Sequence, residues 1–166
     1  VTQAIYVAAR LNIAEHLVGG PASVDDLALK AGVDAGSLYR VLRALATLGI
    51  FTEREPRRFA NTEMSALLRP GVANSQHAGA VMIGEMCYPA FGELMYSVKT
   101  GRPGFDKQFG APLFDYLGKH PEDGRIFDES MQSIHGPETP AMIGVYDFSG
   151  FRTIVDVGGG NGHTMV

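Results

Sequence analysis

The chain has 166 residues, of which 45% are hydrophobic and 19% are charged. This composition is typical of a packed globular protein and excludes a disordered tail. The net charge is −4, and residues 1–70 hold eight Lys and Arg against seven Asp and Glu, so no basic excess indicates binding to a nucleic-acid backbone. The single Cys87 excludes an intrachain disulfide, and no apolar run reaches the ~20 residues of a membrane span. We therefore expect a cytoplasmic protein.

The first 71 residues predict a small domain of three helices and a hairpin. Apolar side chains recur at helical spacing, and glycines or a Ser-x-x-Asp capping pattern mark the ends of the runs. The predicted helices span residues 2–18, 23–32 and 34–49. Residues 50–60 then predict two short strands around a polar turn. Three helices followed by a hairpin are typical of a winged-helix domain, which we assign to residues 1–71.

The region from residue 72 to residue 149 predicts a layer of interrupted helices. The apolar stretch from Ala78 to Val98 has helical character but contains Pro89, which removes a backbone donor and disfavours an unbroken helix. Glycines and a proline predict a loop over residues 101–110. Helical segments are predicted to resume at residues 111–119 and 122–134.

A strand that runs into a glycine turn is predicted in residues 150–166. The run Thr153–Val157 is β-branched and apolar, as expected of a strand buried in a parallel sheet. Gly158, Gly160 and Gly162 follow it at alternate positions. Such a turn bends the backbone sharply and lets a ligand approach the main chain where side chains would collide.

The spacing of these glycines separates two kinds of nucleotide-binding turn. Dinucleotide binders use G-x-G-x-x-G, and here His163 occupies the place of the third glycine, so that fingerprint is not met. An acidic residue, Asp156, stands two positions before the first glycine. The pattern therefore resembles motif I of class I methyltransferases, in which the turn packs beneath the methionine part of S-adenosylmethionine.

Three segments in chain order resemble the small-molecule O-methyltransferases of the plant caffeate and bacterial antibiotic-tailoring types. Residues 38–45 resemble the third helix of that family's dimerisation domain, where an L-x-R-x-L-R-x-L pattern recurs. Residues 114–131 are similar to its helical stretch F-x-Y-L…P-E…F…M. Residues 156–162 resemble its cofactor motif. The three motifs together are far more specific than any one of them.

The resemblance implies a mainly α chain: a winged-helix dimerisation domain, a helical layer, then the first strand and glycine turn of a truncated Rossmann-like α/β domain. It implies S-adenosylmethionine as cofactor, held by Asp156, Gly158, Gly159 and Gly160. The implied reaction methylates a hydroxyl of a small aromatic or secondary-metabolite acceptor. The implied partner is a second copy, held through the N-terminal helices, without nucleic acid or membrane. The family's general base, a histidine, is expected beyond Val166, so this chain alone is expected to be inactive.

Two apolar side chains are candidates for an acceptor pocket. Met131 and Phe127 could line it, since thioethers adapt to flat ligands, although helical spacing fits core packing as well for Met131 and better for Phe127. Core packing is also the favoured interpretation for Met82 and Met86. The histidines lack a second ligand at metal spacing, so no metal is predicted. His163 is expected to cap the backbone or contact the cofactor.

Two other functions remain open at the level of sequence. A winged-helix transcription regulator would place Tyr39, Arg40 and Arg43 of the third helix in a DNA groove. The near-neutral charge of the first domain disfavours this, and surface salt bridges are the favoured role of the two arginines. Alternatively, a methyltransferase fold that retains the cofactor could carry out decarboxylation or hydroxylation.

Overall fold

The computed structural model describes residues 1–136, 138–160 and 162. Short helices dominate it, and one small sheet lies in the first third of the chain. The helices are α1 Thr2–Arg10, α2 Ile13–His16, α3 Val24–Ala31, α4 Ala35–Thr47, α5 Glu63–Ala66, α6 His77–Met82, α7 Tyr88–Gly92, α8 Leu94–Thr100, α9 Gly104–Phe109, α10 Leu113–Lys119, α11 Pro121–His135 and α12 Glu138–Val145. The strands are β1 Ala22–Ser23, β2 Phe51–Glu55 and β3 Arg58–Asn61.

Residues 1–68 enclose the first of two hydrophobic cores. The predicted hairpin of β2 and β3 is confirmed, and β1 adds a third antiparallel strand that the sequence did not reveal, giving the order β1-β3-β2. Phe51 and Phe59 of the hairpin are buried against Leu38, Leu42 and Leu45 of α4. The sheet therefore closes one side of the core that the first four helices build.

Side-chain caps fix the starts of α3 and α4, and the sequence predicted the one at Ser23. The Ser23 Oγ accepts a hydrogen bond of 3.1 Å from the Asp26 backbone N–H, and Gly32 ends α3 in the left-handed region with φ of 68°. The Asp34 carboxylate likewise accepts from the Ser37 N–H at 2.7 Å. These local bonds satisfy donors that a helix start leaves free, and both predicted helices are confirmed.

The single helix predicted over residues 2–18 is wrong. Asn12 adopts a left-handed conformation with φ of 51° and separates α1 from α2. Asparagine tolerates this region better than most side chains, so the break costs little there. The bend lets Ala8 of α1 and Ile13 of α2 both reach the first core.

A bulged helical segment joins α6 to α7. Residues 83–87 form a π turn, directly before Pro89 near the start of α7. Proline lacks a backbone donor and its ring clashes with the carbonyl four residues earlier, so a widened turn accommodates it. The chain thus continues as helix from residue 77 to residue 92, despite the proline that the sequence marked as an interruption.

The loop predicted over residues 101–110 is partly wrong, because α9 occupies Gly104–Phe109. Gly101 and Gly110, both with positive φ, flank this helix, so the glycines end helices instead of excluding one. Phe105 and Phe109 of α9 stack at 4.5 Å and meet Tyr116 of α10. This aromatic cluster gives the short helix the packing that its propensity alone would not supply.

The second core lies where α6 and the π turn meet α11. Its buried residues include Met82 and Met86, so core packing is confirmed as the role of this pair. Ile126 and Ser130 form the buried face of α11. Burial raises the pKa of the nearby Cys87 thiol, which reduces its reactive thiolate fraction.

The strand predicted over Thr153–Val157 is not formed. Residues 153–156 belong to no helix or strand, and Ile154, Val155 and Val157 are 47%, 76% and 91% exposed. A strand exists only when a neighbour accepts its hydrogen bonds, and none of the described strands pairs with this segment. The apolar pattern is therefore present without the sheet that would bury it.

Across the part of the chain that the structure describes, no helix combines the length and the apolar character that crossing a membrane requires.

The contact between α1 and the π turn predicts a clear stability effect. A Cβ at Gly84 would collide with Cβ and Cγ of Tyr6, whose hydroxyl donates a hydrogen bond of 3.0 Å to Glu85. We expect Gly84→Ala to lower the free energy of unfolding by about 1–3 kcal/mol through overpacking. Urea unfolding followed by circular dichroism measures this value.

Gly118→Ala is the matched control for that substitution. Gly118 lies in α10, and a Cβ there would meet nothing within 4 Å. Alanine is the better helix former, so we expect a gain of about 0.5–1 kcal/mol. Equal effects of the two substitutions would contradict tight packing of Tyr6 on Gly84.

Candidate functional site

One open cavity lies between α10, α11 and the glycine turn. Its volume is about 730 Å³, within the range of roughly 300–1,000 Å³ that small-molecule sites occupy. It brings together all six residues that the sequence singled out for the cofactor and the acceptor. The lining residues are Phe114, Leu117, Gly124, Phe127, Asp128, Met131, His135, Asp156, Gly158, Gly159 and Gly160.

One face of helix α11 packs in the second core, and another face lines the cavity. Ile126 and Ser130 are buried against α6, whereas Phe127 and Met131 are half-buried and line the cavity. The same two side chains also pack against the second core. The sequence leaves core packing and pocket lining as alternatives for Phe127 and Met131. In the structure, both side chains pack against the core and also line the cavity.

Phe114 extends the apolar wall of the cavity. Its ring stands nearly perpendicular to that of Phe127, with centroids 6.0 Å apart, and it is 75% exposed. Edge-to-face pairs of this kind are favourable, and an exposed ring beside a cavity offers a surface for flat apolar ligands. The sequence contained Phe114 within a motif but gave no reason to assign it to the site.

The side of α10 that bears this wall is fixed to α11 by Tyr116. The Tyr116 hydroxyl donates a hydrogen bond of 2.8 Å to the Asp123 carboxylate, and its ring stacks on His120 at 3.9 Å. The hydrogen bond to the carboxylate raises the pKa of Tyr116, because it stabilises the protonated phenol. This contact clamps the two helices at the turn that joins them.

The glycine turn is held by its own backbone and by Asp156. Gly158 and Gly160 have φ of 80° and 56°, which an L side chain rarely adopts. A Cβ on Gly159 would collide with the Asp156 carboxylate, so the acid packs directly on the turn. The Gly162 N–H donates to the Gly159 carbonyl at 2.8 Å.

Asn161 and His163 of the turn lie outside the described residues, and the role expected for His163 stays a prediction. Among the described residues, no group of three or more His, Cys, Asp and Glu side chains is arranged to hold a metal ion.

The polar part of the cavity lining is mostly acidic. Asp128 and Asp156 contribute carboxylates, and His135 contributes an imidazole at the last residue of α11. The His135 Nδ1 lies 3.2 Å from the Glu138 Oε2. Asp128, Met131 and His135 are three and four positions apart and therefore lie on one face of α11. Once Met131 is assigned to the cavity, this spacing predicts that Asp128 and His135 also line it.

The three side chains of α4 that a recognition helix would use, Tyr39, Arg40 and Arg43, contact neighbouring side chains, although both arginines are exposed. The Tyr39 ring packs edge-on against Phe59 at 6.1 Å, and the Arg43 and Arg57 guanidinium groups lie 5.7 and 5.0 Å from its centroid. Arg40 donates to the Ser37 Oγ at 3.0 Å.

The salt bridges favoured for Arg40 and Arg43 are wrong. Within the described ranges, neither guanidinium comes within ion-pair distance of a carboxylate. The sequence of α4 explains why these salt bridges do not form, because no Asp or Glu stands three or four positions from either arginine. Arg43 uses the Tyr39 ring as its partner instead.

Two family models match this chain, one over its first 70 residues and the other over residues 91–166. The O-methyltransferase dimerisation domain matches residues 1–70, and the O-methyltransferase domain matches residues 91–166. Together they leave only residues 71–90 unmatched. The chain belongs to the O-methyltransferase family that these two models describe.

Individual proteins agree with that assignment. Phenazine O-methyltransferase from Lysobacter antibioticus is 43% identical over 162 residues, which are 98% of this chain and 48% of that protein. The crystal structure of LaPhzM matches with a TM-score of 0.92 and 43% identity, over 98% of this chain and 49% of that one. NcsB1, an O-methyltransferase of neocarzinostatin biosynthesis solved with S-adenosylmethionine and 2-hydroxy-5-methyl naphthoic acid, matches at 0.82 and 30% identity, over 97% and 50%. The chain spans about half the length of the relatives that it matches.

Proposed function

We propose that this chain is the amino-terminal part of an S-adenosylmethionine-dependent O-methyltransferase that methylates a hydroxyl of a small aromatic acceptor in secondary metabolism. The observation that carries the proposal is the single cavity shared by the glycine turn and the apolar face of α11. The residues assigned to the cofactor and those assigned to the acceptor lie more than twenty positions apart in sequence, and they line the same space.

The proposed domain organisation follows the motifs. Residues 1–71 form a winged-helix dimerisation domain, residues 72–149 form a helical layer that lines the acceptor pocket, and residues 150–166 begin a Rossmann-like domain. The three-stranded sheet packed on α4 supports the first assignment. The second core, which includes both α6 and α11, supports the helical layer as one unit.

The proposed cofactor part of the cavity consists of Asp156, Gly158, Gly159 and Gly160. These residues fit the methionine end of S-adenosylmethionine, because the glycines expose backbone donors and the carboxylate can face an ammonium group. When bound, S-adenosylmethionine supplies an electrophilic methyl group on a sulfonium. A site with two carboxylates in its lining also suits the positive charge of that sulfonium.

The proposed acceptor part is the apolar wall of Phe127 and Met131, extended by Phe114. This wall would hold a flat ring by stacking and dispersion and would exclude water around the reacting hydroxyl. Its residues orient the acceptor and transfer no proton themselves. We place the general base outside residues 1–166, so the isolated chain is expected not to turn over.

The transcription-regulator alternative is not favoured by the surface of the first domain. A recognition helix needs side chains free to reach base edges. Here Tyr39 is covered by Phe59 and two guanidinium groups, and Arg57 pairs with Asp25 at 2.9 Å. The other alternative, decarboxylation or hydroxylation with the same cofactor, would use the same proposed cavity. It would differ from methyl transfer only in residues outside this chain.

The proposed partner is a second copy of the chain. The match to a dimerisation domain supports this, and so do the large apolar side chains that α7 and α8 leave exposed. Phe91, Leu94, Met95 and Val98 are 71%, 56%, 64% and 75% exposed. Clusters of this kind mark interaction surfaces. We place the interface on the N-terminal helices and extend it to α7 and α8, because α1 packs directly on the π turn that leads into α7.

Binding of the product S-adenosylhomocysteine tests the cofactor assignment. In the complete enzyme we expect Gly159→Ala to weaken binding by about tenfold or more, because the new methyl group displaces the Asp156 carboxylate and removes a charge-assisted hydrogen bond. Isothermal titration calorimetry measures the affinity. Gly144→Ala, in α12 with no atom within 4 Å of the new Cβ, should bind as the wild type does. A complete enzyme that does not bind S-adenosylhomocysteine would refute the proposed function.

Sedimentation equilibrium tests the dimer. We expect this chain to sediment as a dimer, and the double substitution Phe91→Glu and Val98→Glu to weaken association by about tenfold or more, because it places carboxylates in an apolar interface. Val145→Glu is the control, since Val145 is 87% exposed but lies on α12, outside the proposed interface. A monomeric wild type, or a double variant that associates as tightly as the control, would contradict this interface.

A further inference from the structure

His135 lines the cavity but has no role in the function proposed above. Among the described residues around the cavity, the ionisable side chains are Asp128, His135 and Asp156. Two of these are carboxylates, so the imidazole is the one lining side chain there that can carry positive charge. The other two ionisable side chains of the lining, Asp128 and Asp156, would repel the carboxylate of a ligand.

His135 is the last residue of α11 and lies beside an acidic side chain. Its Nδ1 lies 3.2 Å from the Glu138 carboxylate, and the side chain is half-exposed. With Nδ1 engaged by Glu138, the Nε2 remains for another hydrogen bond. An imidazole between two carboxylates can donate to both.

The helix also separates His135 from the acceptor wall. Phe127 and His135 are eight positions apart, which corresponds to about 12 Å along an α-helix. Met131 stands midway between them. The cavity therefore has an aromatic end near Phe127 and an ionic end near His135, and the carboxylate of an amino-acid ligand belongs at the second.

We infer that His135 binds the carboxylate of the methionine part of S-adenosylmethionine, while Asp156 faces its ammonium group. The inference rests on the proposed function and adds a cofactor-binding residue to it. The opposite charges of the ligand's amino-acid end then meet opposite charges on two separate segments, α11 and the glycine turn.

The test compares two ligands on variants of the complete enzyme. One ligand is S-adenosylhomocysteine, and the other is its decarboxylated analogue, which keeps the adenosine, the sulfur and the amine. We expect His135→Leu to weaken binding of S-adenosylhomocysteine by about tenfold or more, as for loss of a charge-assisted hydrogen bond. The same substitution should leave the affinity for the decarboxylated analogue within about twofold of the wild type. Calorimetry gives all four affinities.

Two further variants show whether charge is the cause. His135→Lys places a cation at the position and should retain affinity for S-adenosylhomocysteine within roughly a few fold of the wild type. His16→Leu removes a histidine that also ends a helix, α2, and lines no part of this cavity, so it should change neither affinity. Thermal unfolding of each variant confirms that it is folded.

Each remaining result contradicts the inference in a distinguishable way. Equal losses for both ligands would show that His135 shapes the cavity or contacts the adenosine, and not the carboxylate. Unchanged affinity in His135→Leu with a reduced kcat would assign the imidazole to proton transfer. A wild-type enzyme that binds neither ligand would refute the proposed function, and the inference with it.

Discussion

The packing of α11 on α6 is the contact on which the rest of the structure depends. Ser130 of α11 is fully buried and faces Gly79 of α6, where a Cβ would stand 3.5 Å from its hydroxyl. Small residues at this point let the two helices approach closely, and Ile126 and Val81 fill the space beside them. Because α6 also packs on Ala9 of α1, the dimerisation domain and the cavity wall share one hydrophobic core.

This arrangement explains how one helix provides a rigid site. The residues of α11 that face α6 cannot move without opening the second core, so the cavity residues one position away on the helix are held as firmly. Tyr116 adds a second restraint by joining α10 to α11 through Asp123. The apolar wall is therefore built on elements that packing has already fixed, while the glycine turn opposite it is held only by local bonds.

Short sequence patterns predicted those helices whose ends are fixed by bonds between residues close in sequence. The capping pattern at Ser23 predicted the start of α3, because a side chain three residues from a backbone donor satisfies it whatever surrounds it. The split at Asn12, strand β1 and helix α9 were missed, since tertiary packing creates each of them. The strand at Thr153–Val157 shows the reverse case, in which the pattern is correct for a sheet and no described neighbour completes it.

The residues of the candidate site also fall into those predicted by local sequence and those brought together by tertiary packing. Asp156 and the glycines are readable from spacing, because a turn without side chains has few sequence solutions. Phe114, Asp128 and His135 belong to the cavity only because α10 and α11 bring them to the glycine turn, which lies more than twenty residues further along the chain. The second core aligns α11 so that its length, and not a loop, sets the spacing between the aromatic and ionic ends of the cavity. A dimerisation domain that supports this helix through α1 and α6 thereby contributes to the geometry in which methyl donor and acceptor would meet.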